Sequence, residues 1–473
     1  MNLKYHSASN KFVDLLNQSL EKTCDISISQ KQRGFLSFII SAMVLTGSLN
    51  FLAFERLSFS YYSNTALSWM LHRSPIPWSN LMFASVYQIF VAYSIFNFHL
   101  VIDDTDRPRS KVVKVLWGVF KTFNKLSGGW MLAQNVVFIC VVSNKVCIPI
   151  GFRLYRPDPK YVAWQNNDRK LRKKKVPKKS RPKPPKVRDK FPTRIGLAMN
   201  MLKRFLTTKS KLENALGRNL QVKSISFDAA FMSNKMNKFC KTLYPETQVI
   251  SQIASNQIVW DKGKHRKSVS KYFSKKSPVI AELNLRGKKT KVFYLSARLT
   301  VKSHKEVLHV VALRYEGEEK YRYMVANQLT WRTEDIIKAY SFRWLIEVVN
   351  FDWKQNSGFG KMAFQRGADG TCRGMILSLL ADHFLLTHSL QLRQSHADKP
   401  LWTAGSIVRR LQCENTIETI ERIFESENPK KSLEEYSKNL REYVNMLPSR
   451  KHMCGIENEN ILPSESLKLR YSR

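Results

Sequence analysis

Acidic residues are scarce in this chain of 473 residues, which has 37 Asp and Glu against 78 Lys and Arg and a formal net charge of +41. Such an excess excludes a charge-balanced surface and predicts a polyanionic partner, either nucleic acid or, as the weaker alternative, an anionic membrane. Hydrophobic residues make up 43% of the chain, which excludes general disorder. The length allows roughly two to four domains and at least one large core.

Cysteine is also sparse and follows no metal-binding pattern. The seven cysteines are scattered, without a CxxC pair and without the Cys/His spacing of a zinc site. An odd, scattered set in a large protein favours reduced thiols and a cytoplasmic location. The polar N-terminus predicts no secretory signal.

Long uncharged runs are nearly absent as well. The stretch Phe35–Phe54 lacks charge over about 20 residues, but Ser, Thr, Gly and Asn interrupt its apolar character. No second comparable stretch follows it. We therefore expect a buried hairpin of core helices, and a membrane span is the weaker alternative.

Several short apolar runs have the composition of buried strands. Phe98–Ile102 is β-branched and is predicted to run into an acidic loop, and Val222–Phe227 ends on Asp228. Val136–Val142 and Cys147–Leu154 are predicted to form a hairpin. Residues 279–326 then alternate with period two and predict four antiparallel strands in succession.

Two basic clusters stand out. Residues 169–190 contain thirteen Lys or Arg, four Pro and one Asp, so they cannot form a core and predict an exposed basic loop or linker. The second cluster, Lys262–Lys276, interleaves Tyr272 and Phe273. Phosphate contact is the favoured interpretation, and a merely solvated linker is the alternative. The candidate DNA-binding residues of these clusters are Lys173, Lys174, Lys175, Lys178, Lys179, Arg181, Lys264, Arg266 and Lys267.

A row of polar residues follows one side of a helix that is predicted to begin at an N-cap, Thr333. Tyr340, Arg343, Glu347 and Lys354 are offset by 3, 7 and 14 positions, which places them in a stripe roughly 60° wide. The surrounding residues are mostly apolar, which predicts a buried helix. Burying charged groups is costly unless they are paired or hold a metal or an anion, so this row predicts a functional site.

Three carboxylates form the natural metal-binding set. Asp103 and Asp228 each follow a short apolar strand, and Glu347 belongs to the polar row. Carboxylate oxygens suit hard divalent cations. Two Mg²⁺ ions roughly 3.5–4 Å apart can stabilise the attacking and leaving oxygens of phosphodiester chemistry.

Other interpretations of these acids remain open at this point. Asp103 lies in an acidic stretch that would also fit a solvated turn, and Asp104 could replace it as the ligand. Asp228 could cap a following helix. Glu347 could form a structural ion pair with a basic residue of its own row.

The chain resembles the bacterial insertion-sequence transposases of the DDE class that carry a YREK signature. The segment YSFRWLIEVVNFDWKQ contains that signature, in which Tyr340, Arg343, Glu347 and Lys354 keep the family's spacing. The stretch VIDDTDRP resembles the family's first acidic block and FDAAFMSNKM its second. The resemblance spans roughly residues 30–395.

The resemblance implies an α/β fold with a ribonuclease-H-like mixed-sheet core, a β-rich insertion before the final Glu, and helical terminal regions. Asp103, Asp228 and Glu347 would be catalytic and would hold Mg²⁺, with Mn²⁺ as a substitute. Tyr340, Arg343 and Lys354 would contact DNA phosphates. The implied regions are a helical N-terminal DNA-binding region (1–95), a first core part (96–244) with a basic loop (165–192), the insertion (245–330), a last core part (331–395) and a helical tail (396–473).

The implied activity is cleavage of DNA at terminal inverted repeats and transfer of the 3′-hydroxyls to target DNA. The implied partners are double-stranded DNA and a second copy of the chain in a synaptic dimer, with no membrane. The location would be the bacterial cytoplasm, at the nucleoid. An apolar stripe in the tail is a candidate dimer surface, formed by Leu433, Tyr436, Leu440, Tyr443 and Leu447. The alternative is a decayed or repurposed transposase that only binds DNA.

Overall fold

The computed structural model describes residues 7–58, 61–109, 116–124, 128–261, 265–362 and 367–443, and it has a mixed α/β architecture. Its helices are α1 (Ser7–Cys24), α2 (Gln30–Thr46), α3 (Phe51–Leu57), α4 (Asn64–His72), α5 (Trp78–Ala92), α6 (Pro159–Lys173), α7 (Arg194–Leu216), α8 (Asn234–Leu243), α9 (Val269–Phe273), α10 (Thr333–Ser341), α11 (Leu345–Gln355), α12 (Gly367–Thr387), α13 (Ser389–His396), α14 (Ala404–Phe424) and α15 (Pro429–Tyr443). Its strands are β1 (Asn97–Arg109), β2 (Val119–Asn124), β3 (Gly129–Val142), β4 (Cys147–Tyr155), β5 (Gln221–Phe227), β6 (Gln248–Ile253), β7 (Ile258–Trp260), β8 (Lys267–Ser268), β9 (Val279–Leu285), β10 (Lys288–Val301), β11 (Glu306–Tyr315) and β12 (Arg322–Ala326).

One large mixed sheet connects all of these strands. Its centre has the order β4–β3–β1–β5–β6, in which β3 is antiparallel to its neighbours and β1, β5 and β6 are parallel. Strand β12 then pairs antiparallel with β6, and β11, β10 and β9 follow. The predictions of the β3–β4 hairpin and of the four successive antiparallel strands are confirmed. These four strands extend the central sheet.

The N-terminal helices form a core layer with α12. Helices α1, α2, α5 and α12 pack together, and α2 buries its residues from Phe35 to Leu45. Gly47 ends α2 with φ of 61°, and a Cβ there would lie 3.1 Å from the carbonyl oxygen of Gln355. The Phe35–Phe54 stretch therefore divides into α2 and part of α3, as the hairpin prediction expects.

Among the described residues, no single helix is long and apolar enough to cross a bilayer. Helices α12 and α13 together would meet the length and composition criteria, but they are bent by 48° at their junction.

The acidic stretch after Phe98–Ile102 is not a loop. Strand β1 continues through it to Arg109 and stays paired with β3. The buried Asn135 side chain of β3 donates from Nδ2 to Asp104 at 2.6 Å and to Asp106 at 2.8 Å, so these carboxylates are tied to the sheet. The predicted loop and the alternative of a solvated acidic turn are both wrong.

The helix with the polar row is neither continuous nor buried on all sides. A 3₁₀ turn at Phe342–Trp344 separates α10 from α11. Trp353 is fully buried, stacks on Phe359 at 4.0 Å and contacts Phe138, while Trp344 and Phe351 are exposed. Only one face of α11 packs on the sheet, so the prediction of a helix buried all round is wrong. The helix also begins one residue earlier than predicted, because Arg332 occupies the N-cap position and Thr333 is the first helical residue.

The basic segment is folded back on α6, and we call residues 159–190 the basic strap. Asp158 accepts hydrogen bonds from Arg188, and Asp168 accepts one from Arg181 at 2.8 Å. The indole nitrogen of Trp164 donates to the carbonyl of Pro182 at 2.8 Å. The prediction that residues 169–190 are exposed is confirmed. The segment begins within α6, however, and its loop part is held by these contacts to α6 and to the N-cap residue Asp158.

The apolar stripe of the tail lies partly within the described residues. Leu433 and Leu440 of α15 are exposed, and Tyr436 is half-buried. The side chain of Tyr443 and the whole of Leu447 lie outside the described part of the chain. The proposed dimer surface stays a prediction.

Asp382 on α12 is a buried carboxyl away from the acidic strand ends. Its closest hydrogen-bond partner is the Ser357 hydroxyl at 3.5 Å. Burial, with the nearby Asp352, raises the pKa of Asp382 to about 7. Because the folded-state pKa lies above the ordinary value, the neutral form is the one that the fold accommodates.

Replacing Asp382 with Asn should therefore stabilise the protein in a pH-dependent way. The stability that Asp382 contributes is present at low pH and is lost as the pH rises through about 7. The Asn variant cannot ionise, so its advantage should grow between about pH 5 and about pH 8 and reach about 2–4 kcal/mol. Urea unfolding at the two pH values measures it. The exposed Asp398→Asn is the matched control, and a less stable Asp382→Asn at the higher pH would contradict the expectation.

Candidate active site

The register of two parallel strands brings the first two acids together. Ile102 of β1 pairs with Phe227 of β5, and Asp103 and Asp228 are the next residue of each chain segment. The Asp228 carboxylate accepts a hydrogen bond from the backbone N–H of Ala230 at 2.9 Å. The next helix, α8, is capped by Ser233, so the alternative of Asp228 as its cap is wrong.

Asp103 has the most perturbed carboxyl of this region. Its pKa is raised to about 7, mainly by burial, and the charges of Asp228 and Asp104 act in the same direction. The backbone N–H of Asp104 and the guanidinium of Arg343 act in the opposite direction. Two nearby carboxylates therefore disfavour full ionisation of Asp103 unless positive charge balances them.

Arg343 supplies positive charge at this place. Its Nη1 lies 3.5 Å from Asp103 Oδ2, and its Nη2 donates to Glu347 Oε1 at 2.7 Å. Although burial opposes the charge, Tyr340, Asp103 and Glu347 raise the pKa of Arg343. The guanidinium thus bridges an acid of the sheet and an acid of α11. The Glu347 side chain is 50% exposed, so its predicted burial is wrong.

Tyr340 faces the same acids, whereas Lys354 does not. Burial raises the pKa of Tyr340 to about 12, with Asp228 and Asp103 contributing and Arg343 opposing. Burial lowers the pKa of Lys354, and the carboxylate that opposes this shift is Asp106. The polar row therefore divides into two groups. Tyr340 and Arg343 lie beside Asp103 and Asp228, and Lys354 lies beside Asp106.

Asp104 is engaged differently from Asp103. It accepts from Asn135 and lies 3.4 Å from Nε of Arg194, and the Arg194 guanidinium lies 4.9 Å from the Tyr155 ring centre. Neither Asn135 nor Arg194 was identified from the sequence. Arg194 directly follows Thr193, the N-cap of α7, so the sequence could have placed it at a helix start. The position of Asn135 beside Asp104 depends on the register of β1 and β3, which the sequence does not show.

The chemistry of the oxygen ligands suits a hard divalent cation, although the side chains are not assembled around one. Among the described residues, no three His, Cys, Asp or Glu side chains are grouped closely enough to hold a metal ion. Arg343 lies between Asp103 and Glu347 in this conformation. Asp103 and Asp228 remain electrostatic neighbours.

The predicted DNA-binding residues of the two basic clusters differ in their exposure and partners. Arg181 is only 13% exposed and is paired with Asp168, so it anchors the strap. Lys264 lies outside the described residues, and the Arg266 guanidinium lies 5.2 Å from the Trp260 ring centre. The remaining ones are exposed to solvent: Lys173, Lys174, Lys175, Lys178, Lys179 and Lys267.

Removing the Asn135 side chain should destabilise the acidic end of the sheet. Asn135→Ala leaves Asp104 and Asp106 without their shared amide donor, which should cost about 1–3 kcal/mol. Chemical unfolding at neutral pH measures this loss. Asn284→Ala on the exposed side of β9 is the matched control and should change stability by less than about 0.5 kcal/mol. Equal stabilities of the two variants would contradict the expectation.

Comparison with known proteins gives distant structural similarity and no sequence match. No protein-family model matches the chain, and no curated protein matches it significantly. Among solved structures, the chain aligns with a piggyBac transposase in the cryo-EM structure of its synaptic complex with hairpin DNA. The TM-score is 0.39 and the identity 12%, over 94% of this chain and 85% of that one. A similarity at this level carries no argument about fold or function.

Proposed function

We propose that this chain is a metal-dependent DNA transposase of the DDE class, which cleaves DNA at terminal inverted repeats and joins the 3′-hydroxyls to target DNA. The observation that carries the proposal is the parallel register of β1 and β5. It brings Asp103 and Asp228 together at one edge of the sheet. The Arg343–Glu347 pair of the YREK motif reaches the same place, since Arg343 contacts Asp103.

The order of the central strands supports a ribonuclease-H-like core. Three antiparallel strands, β4, β3 and β1, are continued by the parallel strands β5 and β6. Strands β9 to β12 lie between this core and α11 in the chain, where the resemblance places a β-rich insertion. The acids would then come from two core strands and from the helix after the insertion.

Asp103, Asp228 and Glu347 would hold Mg²⁺ or Mn²⁺. The carboxylate oxygens match the preference of such cations, and the raised pKa of Asp103 indicates a carboxyl that needs added positive charge. A bound divalent cation would neutralise charge on the phosphate and on the attacking and leaving oxygens.

The remaining side chains of the site would position DNA. Arg343 has a planar guanidinium that can bind a phosphate through two donors. A DNA phosphate would compete with Asp103 and Glu347 for this guanidinium. When Arg343 binds the phosphate, both carboxylates would lose their contact with it. The Tyr340 hydroxyl stays protonated at neutral pH, because its pKa is raised to about 12, and it can donate to a phosphate oxygen. Lys354 would contact the phosphate backbone beside Asp106.

The DNA outside the site would follow the basic strap and the helical N-terminal region. The exposed lysines of the strap would neutralise phosphates, which predicts strong salt dependence of binding. A second copy of the chain would complete a synaptic dimer, and the exposed apolar residues Phe424 and Leu433 on α14 and α15 are candidates for that contact. The complex would work on chromosomal DNA in the cytoplasm.

Nicking of a supercoiled plasmid that carries the DNA flanking the gene tests this proposal. The wild-type protein should nick it with Mg²⁺ or Mn²⁺ and not with EDTA. Asp103→Asn, Asp228→Asn and Glu347→Gln should each lower the rate by at least about 100-fold, because several kcal/mol of charge stabilisation depend on these carboxylates.

The exposed Asp398→Asn serves as the control and should nick like the wild type. If the three acid variants nick as fast as the control, the catalytic role of these acids is wrong. If the wild type binds the DNA tightly but never nicks it, the chain is a DNA-binding protein without catalysis, which is the alternative function.

A further inference from the structure

Two large aromatic side chains stand exposed near the end of the β2–β3 hairpin. Phe123 and Trp130 are 47% and 52% exposed and face each other across the hairpin. Their ring centres are 5.5 Å apart at an interplanar angle of 73°. The two rings therefore form one apolar surface that the described residues leave open to solvent.

Cations surround this aromatic pair. The Lys121 ammonium lies 5.6 Å from the Trp130 ring centre, and the Arg169 guanidinium lies 5.8 Å from it. Arg169 belongs to α6, the first part of the basic strap, so the hairpin and the strap meet at Trp130. Exposed rings flanked by cations are the combination that binds nucleic-acid bases by stacking and their phosphates by charge.

A continuous set of contacts leads from the acidic site to this hairpin. Arg194 lies beside Asp104, and its guanidinium lies over the Tyr155 ring. Tyr155 contacts Phe120 of β2 with ring centres 5.6 Å apart. These contacts pack β2 against the sheet that carries the acids.

The separation between the acids and the aromatic pair can be read from the strand register. Asp103 pairs with Phe138, and Trp130 lies eight residues further along β3. At about 3.4 Å per residue this corresponds to about 27 Å. A DNA strand of about eight nucleotides spans that length.

We propose that Phe123 and Trp130 form a stacking platform for unpaired bases of the DNA whose backbone follows the basic strap. Paired bases inside a duplex present no open face to these rings, whereas unpaired bases can stack on them. The platform thus selects DNA with an unpaired segment about eight nucleotides from the site of cleavage. This inference rests on the proposed function, because it takes DNA as the substrate.

The charge of the surroundings favours nucleic acid over a protein partner. Residues 169–190 of the strap carry thirteen Lys or Arg and one Asp, and the cations beside Trp130 belong to the same basic surface. A second copy of this chain would bring a formal charge of +41 against that surface. Phosphates would instead be attracted to it.

Equilibrium binding of the full-length protein in EDTA tests the platform. Two fluorescent probes are compared, a blunt duplex and the same duplex with an unpaired extension of several nucleotides. The wild type should bind the extended probe about tenfold more tightly, since stacking of one base contributes about that factor. Trp130→Ala should remove this preference, and Trp130→Phe should keep most of it.

Trp69→Ala, which removes an exposed tryptophan of α4, is the matched control and should keep the preference. Circular dichroism verifies that each variant is folded. If the wild type binds both probes equally, or if Trp130→Ala keeps the preference, the platform is wrong while the proposed function stands. If neither probe is bound, the proposed function fails as well. If Trp130→Ala changes the oligomeric state and not the preference, the aromatic pair is an interface between copies, which also overturns the platform.

Discussion

The crowding of negative charge at one edge of the central sheet is the constraint on which the rest of the site depends. The parallel pairing of β1 with β5 fixes Asp103 beside Asp228, and Asp104 is the next residue along β1. Burial and mutual repulsion raise the pKa of Asp103. The fold must therefore supply positive charge at this edge, and it does so from both sides.

Two arginines from different elements supply this positive charge. Arg194, at the start of α7, lies beside Asp104 with the help of Asn135. Arg343 lies in the 3₁₀ turn between α10 and α11 and bridges Asp103 to Glu347. The interruption of the helix matters here, because Arg343 and Tyr340 face the acids while Trp353 anchors α11 on the sheet. An arginine that balances carboxylates in one state and binds phosphate in another would couple DNA binding to the exposure of the acids.

The sequence was sufficient to locate several strands, because local patterns encode them. The alternation in residues 279–326 and the short apolar run before Asp228 became strands as predicted. The path of Asp103 to Asp106 was not predictable in this way. Polar residues usually end a strand, and here Asn135 of the neighbouring strand β3 binds Asp104 and Asp106 within β1.

Burial was the least predictable property of the site. The apolar residues around Glu347 suggested a helix covered on all sides, but Phe351 and Trp344 are exposed because α11 lies at the surface. The basic strap is exposed as predicted, but Asp168 of α6 and the N-cap residue Asp158 hold its loop part in place, which the sequence did not indicate. Both features depend on long-range packing, which composition does not report.

Anomalous X-ray diffraction from crystals soaked in Mn²⁺ tests the central claim most directly. The expected result is Mn²⁺ density beside the carboxylates of Asp103 and Asp228, with the Arg343 guanidinium moved away from Asp103. Crystals that show no Mn²⁺ beside these carboxylates, and in which Arg343 still bridges Asp103 and Glu347, would contradict the claim.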